Sequence, residues 1–174
     1  MDLLDFEAQG LYFDEPDVAG VAELLAMAAE HYADGLAESS LLKAYFLAPQ
    51  SLNVLVALNR FYYYQHRLDD ALAATERALA VIRPMIDFPE DWQELQLTHV
   101  TETPVALLTQ VRLYLFTLKT IGFLHMRLEH LNISQVIFEK LVSLDSQNRI
   151  GAQGLLELLI KRKDEYSTKA GEVC

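Results

Sequence analysis

Apolar residues recur along most of this chain at intervals of three and four, the spacing that gathers them on one face of an α-helix. Leu52 to Pro84 shows it most plainly. Leu55, Leu58, Phe61, Tyr62 and Leu68 form one series, and Leu72, Thr75, Ala78, Leu79 and Ile82 form a second. Asp69 and Asp70 stand between them where a capping carboxylate would start the second helix. The pattern predicts two helices joined by one tight turn. A helix cannot bury three consecutive residues on a single stripe, so one of Tyr62, Tyr63 and Tyr64 must face away from the core, and Tyr62 has the core position.

The same reading extends to the rest of the chain. Residues 1–17 mix Leu3, Leu4, Phe6, Leu11, Tyr12 and Phe13 with six acidic side chains, too many large apolar groups for a segment that only stays in water. Phe88 to Trp92 predicts a turn entering a short helix. Thr103 followed by Pro104 predicts a helix start, and nothing breaks the pattern before about Glu129. At ~1.5 Å per residue that helix would approach 40 Å and protrude from its neighbours. Ile150, Leu155, Leu156, Leu158, Leu159 and Ile160 predict a last amphipathic helix, with Lys161, Arg162 and Lys163 complementing the dipole at its end and a disordered tail over 167–174.

The hairpin repeats. Ala37, Leu41 and Ala44 recur 34 residues later as Ala71, Thr75 and Ala78, and each series ends near a proline, Pro49 and Pro84. A third copy follows after 29 inserted residues, with Leu118, Ile121, Gly122 and His125 in its first helix and Ser134, Phe138 and Leu141 in its second. A period of 34 with two helices, small residues at fixed places in the second helix and a closing proline resembles the tetratricopeptide repeat. The resemblance implies an all-α fold, a right-handed superhelical stack of antiparallel helix hairpins, closed by a C-terminal capping helix. It divides the chain into an acidic-aromatic segment 1–17, two units over 18–85, an insertion 86–114 that lengthens the next helix, a third unit 115–148, a cap 149–166 and a tail 167–174.

Composition and charge narrow the function. The chain has 174 residues, 52% of them hydrophobic, and a formal charge of −11. Residues 1–42 hold ten acidic side chains and no Lys or Arg, whereas the remainder is nearly balanced with 14 basic and 15 acidic. Without a basic stripe the chain is not expected to bind nucleic acid. No apolar run reaches membrane-spanning length, and Asp2, Asp5 and Glu7 stand where a secretory signal needs positive charge. Cys174 is the single cysteine, so no intrachain disulfide can form, and a cytoplasmic location is expected.

Candidate chemistry is sparse. None of the five histidines is paired at metal-ligand spacing, and His125 and His130, five residues apart, would point about 140° away from each other on one helix. No phosphate loop, nucleophile elbow or zinc motif is present. An enzyme, a cofactor and a metal are therefore not expected. What the resemblance offers instead is a groove lined by the first helix of each unit. Its usual contact places fall on Ala19, Ala22, Ala26, Ala29 and Glu30, then on Asn53, Val56, Arg60, Tyr63 and Tyr64, and finally on Phe116, Lys119, Phe123, Met126 and Arg127. The last two sets are the candidate binding residues. The family's carboxylate clamp needs basic residues on the first inner helix, and residues 18–31 have none. The expected partner is a protein or peptide, apolar with some acidic character, held by an adaptor or chaperone-like module. The alternative is self-association, as a homodimer or within one chain, with residues 1–17 filling the groove.

Overall fold

The structure, a computed structural model, describes residues 18–32 and 35–171, and side chains as far as Glu165. The acidic-aromatic segment 1–17 and Cys174 lie outside the described residues. All regular structure among the described residues is helical: α1 (Val21–Glu30), α2 (Ala37–Leu47), α3 (Leu52–Tyr64), α4 (Leu68–Ile82), α5 (Leu97–Thr101), α6 (Leu108–Arg127), α7 (Leu131–Leu144) and α8 (Gln153–Gly171). The chain forms two compact units, one through Ile82 and the other from Arg83 onward.

In the first unit α1 packs on α2, α3 on α4, and α2 and α1 each on α3. Ser51 caps α3, its hydroxyl accepting from the Val54 N–H. The α3–α4 pairing is antiparallel, because its partners run in opposite order. Asn59 reaches Thr75 and the Ala71 carbonyl, while Leu55, further back on α3, packs with Ala78 and Val81. Ala71, Ala74 and Ala78 are buried, and their lack of bulk lets the two helices lie close. The buried Asn59 amide donates to Thr75 Oγ1 at 2.6 Å and to the Ala71 carbonyl at 3.2 Å, so a polar group inside the hairpin is satisfied and fixes its register. Helix α4 begins at Leu68, which puts Asp69 and Asp70 inside its first turn and not at the cap. Asp70 instead accepts from Arg67, which also pairs with Glu38 of α2.

The second unit repeats the hairpin in α6 and α7. Its turn is the α3–α4 turn built again 63 residues later, bond for bond. Arg67 N–H donates to Tyr62 O and His130 N–H to His125 O, both at 2.9 Å. His66 N–H donates to Tyr63 O at 3.0 Å, and Glu129 N–H to Met126 O at 3.4 Å. Each turn needs one left-handed residue, His66 with φ 58° and Glu129 with φ 62°. This is the Schellman reversal, made here without its usual glycine. The hairpin interior differs in chemistry but keeps its register: where Asn59 stands in the first hairpin, Gly122 stands in the second, and its carbonyl accepts from the buried Ser134 hydroxyl at 2.8 Å. A Cβ at Gly122 would lie 2.8 Å from a Phe138 ring carbon and 2.9 Å from Ile137 Cγ2.

Several expectations for this half are corrected. The α-helix starts at Leu108 and not at Thr103-Pro104, since the Thr103 hydroxyl donates back to the His99 carbonyl at 2.5 Å and a 3-10 turn, Val105–Leu107, intervenes. The front of α6 does not protrude bare. The inserted residues fold onto it, with Phe88 edge-on to Tyr114 at 5.1 Å and the Lys140 ammonium donating to the Leu95 carbonyl. The expected turn near Trp92 is a 3-10 turn, Trp92–Glu94, capped by Asp91. Finally, α8 runs on through Gly171, so the backbone of 167–171 is helical and Lys161–Lys163 lies mid-helix. These basic residues act sideways. Arg162 pairs with Glu129, and Lys163 donates to Asn132 and Gln135 of α7, holding α8 against the α6–α7 turn. Leu155 and Leu159 are its buried face.

Two substitutions test this packing by chemical denaturation. Gly122→Ala should lower stability by about 1–3 kcal/mol although alanine is the better helix former, because the methyl has no room. His66→Gly should raise it by up to about 1 kcal/mol by relieving the left-handed conformation. An unchanged midpoint for Gly122→Ala would contradict the close approach.

Candidate functional site

The first unit contains a cavity of about 750 Å³ between α1 and α3. It lies within the size range of small-ligand and peptide side-chain pockets. Helix α1 supplies Leu25, Ala28, Ala29 and, just past its end, Tyr32; α3 supplies Asn53, Val56, Ala57, Arg60, Phe61 and Tyr64. Both sets follow the three-and-four spacing of a single helix face. Leu41 and Gln65 complete the lining. Tyr32 meets Phe61 edge-to-face at 5.7 Å, which sets one end wall with two rings. Ala28, Ala29 and Ala57 leave room that larger residues would fill.

The walls are apolar, and Arg60 is the one charged residue among those lining the cavity. Asn53 and Gln65 add neutral polar groups. An occupant thus meets aliphatic and aromatic surface with one guanidinium, which favours an apolar group flanked by a carboxylate.

Of the residues expected from sequence, Asn53, Val56, Arg60 and Tyr64 converge on this cavity, together with Ala29. Tyr62 is buried as expected and lies under the Arg67 guanidinium, 4.5 Å from its ring centre, while Tyr64 is half exposed. Tyr63 is not in the lining but touches Tyr64 edge-to-face at 5.6 Å. The remaining candidates lie on α6 in the second unit. Two of them face inward. Lys119 is buried, its ammonium donating to the Ile150 carbonyl at 2.6 Å and sitting 4.6 Å from the Phe116 ring centre. Burial holds its pKa below the ordinary value. Met126 is buried as well. As placed, these two side chains are interior groups of the second unit and not groove walls. Phe123 is partly buried and Arg127 exposed, its guanidinium 6.0 Å from the Phe123 ring centre.

The expected groove places leave out Leu25, Ala28, Tyr32, Leu41, Ala57, Phe61 and Gln65, which also line the cavity. The repeat places taken from the family mark the same side of every first helix. A cavity between two neighbouring helices is lined by their facing sides, which differ between the two. The signal was present as the 25, 28, 29, 32 spacing on α1.

A second cluster corrects the expected separation of His125 and His130. Helix α6 ends at Arg127, and the left-handed Glu129 folds the chain back, so the two Nδ1 atoms come within 3.2 Å. One ring donates and the other accepts, which requires at least one neutral imidazole. Burial first, then the neighbouring His130, holds the His125 pKa below its ordinary 6.5. Among the described residues no group of three or more His, Cys, Asp or Glu is placed to hold a metal ion, and no helix is long and apolar enough to cross a membrane.

The fold and cavity define an all-helical protein with paired helices and an apolar recess between two of them. The chain is 43% identical over 165 residues to a protein of Azotobacter chroococcum mcd 1 described as an uncharacterized 19.8 kDa protein in the nifW 5′ region, over 95% of this chain and 92% of that one. It belongs to the same family as that protein. No family model matches the chain, and no solved structure matches it.

The histidine pair gives a pH dependence of known sign. Folding favours neutral His125, so its contribution is complete above pH 6.5 and is lost as the pH falls from there toward its lower folded value, because the unfolded chain takes up the proton first. Thermal melts should show a drop in Tm between pH 7.5 and 5 that is smaller in His125→Gln. An equal drop in both proteins would show that the pair does not contribute.

Proposed function

We propose that this chain is a non-catalytic protein-interaction module, adaptor or chaperone-like, that holds an apolar, partly acidic peptide or helix of a partner protein in the recess between α1 and α3. The observation that carries the reading is the cavity of about 750 Å³ with apolar walls and Arg60 as its charged residue. Alanines on both walls permit a backbone or helix to approach closely, and Tyr32, Phe61 and Tyr64 supply the aromatic surface enriched at binding hot spots.

In this reading the hairpins are tetratricopeptide-like units of a right-handed superhelical stack. Supporting it are the 34-residue spacing of small residues and the recurrence of one turn, with the same hydrogen bonds, at residues 65–67 and 128–130. Asn53, Val56, Arg60 and Tyr64 form the binding face, with Tyr63 beside them.

The test uses two fluorescein-labelled amphipathic peptides with Leu and Phe on one face, one carrying Glu on the other face and one carrying Lys. Fluorescence anisotropy with the full chain should show saturable binding of the acidic peptide and weaker binding of the basic one. Arg60→Glu should weaken the acidic peptide at least about fivefold, roughly 1 kcal/mol, and favour the basic one. Ala29→Trp should block both by filling the recess, with the helical circular dichroism unchanged. Absence of saturable binding to either peptide, or indifference to Arg60→Glu, would refute the assignment.

A further inference from the structure

We infer that residues 1–17 are an intramolecular ligand of the α1–α3 recess, so that a partner binds by displacing them; the inference rests on the binding reading above. The first observation is where the segment joins the fold. It enters at Val18, three residues before α1, and α1 is itself one wall of the recess. Leu25, the first wall residue, lies four positions into α1 from Val21, about 6 Å along the helix. Seventeen residues can span up to about 56 Å, so a return path to the recess is well within reach.

The second observation is chemical complementarity. The segment carries Leu3, Leu4, Phe6, Leu11, Tyr12 and Phe13, and the recess presents aliphatic and aromatic walls. Charge gives the third. Residues 1–17 contain six acidic side chains and no Lys or Arg, and the charged residue lining the recess is Arg60. The segment therefore has the character of the ligand expected for this site, an apolar stretch bordered by carboxylates.

Tethering favours the same chain over a second copy. A short linker holds its own segment at an effective concentration of the order of millimolar, far above the micromolar concentration of other copies. A segment that would bind in trans with a Kd near 100 μM is then bound in cis about ten to one. A partner meets this occupancy as competition, and its apparent affinity falls by the same factor.

The experiment keeps the full chain. A photoreactive benzoylphenylalanine replaces Val56 on the recess wall, the protein is irradiated, and an Asp-specific digest separates residues 1–17 from α1 before mass spectrometry. The expected product is a cross-link into residues 2–15 on a species of monomer mass. Cross-links confined to α1 and α3 would overturn the inference, and so would a cross-link to residues 1–17 in a covalent dimer. A second measurement uses the acidic amphipathic peptide: its affinity for the full chain should rise about tenfold in a Phe6→Ser, Tyr12→Ser, Phe13→Ser variant. Equal binding to both proteins would sink the intramolecular ligand and leave the recess as a binding site. Binding to neither would remove the binding reading itself, and this inference with it.

Discussion

The constraint on which both units depend is the satisfaction of backbone carbonyls at a sharp helix reversal. A helix that ends before its partner begins leaves carbonyls without intrahelical donors, and burying them unpaired costs roughly 1–3 kcal/mol each. Here the chain solves the problem twice in the same way. The N–H groups of His66 and Arg67, and again of Glu129 and His130, return to carbonyls of the preceding helix. The solution forces one left-handed residue and brings the next helix back at once, after only three connecting residues. Close interhelical packing then follows, but only because Ala71, Ala74 and Ala78 in one hairpin and Gly122 in the other offer little bulk.

That packing has a consequence for the site. In the first unit α3 presents one face to α4, where Asn59 and Leu55 are buried, and another toward α1, where Val56, Ala57 and Arg60 border the recess. One helix thus carries both the register-setting contact and half of the binding wall. The position of Arg60 is set by the same geometry that buries Asn59 beside it. In the second unit, comparable positions of α6 take another use. Lys119 anchors the Ile150 carbonyl, and the adjoining turn holds Arg162 and the histidine pair. Repeated geometry here has separate chemistry in each copy.

The helices and the register of the hairpins were legible in the sequence, because apolar spacing and small residues at fixed intervals report directly on helix packing. Tyr62 and Tyr64 were separable by the same argument. Legibility failed where a helix end decides the outcome. His125 and His130 look opposed on one continuous helix, but a left-handed residue between them reverses the chain and joins their rings. Thr103-Pro104 has the form of a helix start, yet the threonine hydroxyl is spent on a carbonyl behind it. Lys161–Lys163 resembles a helix terminus, although no residue before Gly171 stops the helix. Lys119 falls on one of the repeat's groove places, whereas its long apolar stem and one carbonyl partner allow burial. Arg60 and Val56 were found through the repeat; Tyr32 and Ala28 were not, since which sides of two helices face each other depends on their mutual rotation.

The most direct measurement of the binding account is methyl NMR of the full chain, labelled at Ala, Leu and Val and titrated with the acidic amphipathic peptide. The account predicts shifts concentrated in Leu25, Ala28, Ala29, Val56 and Ala57, which line the recess, while Leu118 and Leu141, buried in the second hairpin, stay in place. Shifts that leave the recess methyls untouched and gather elsewhere would contradict it.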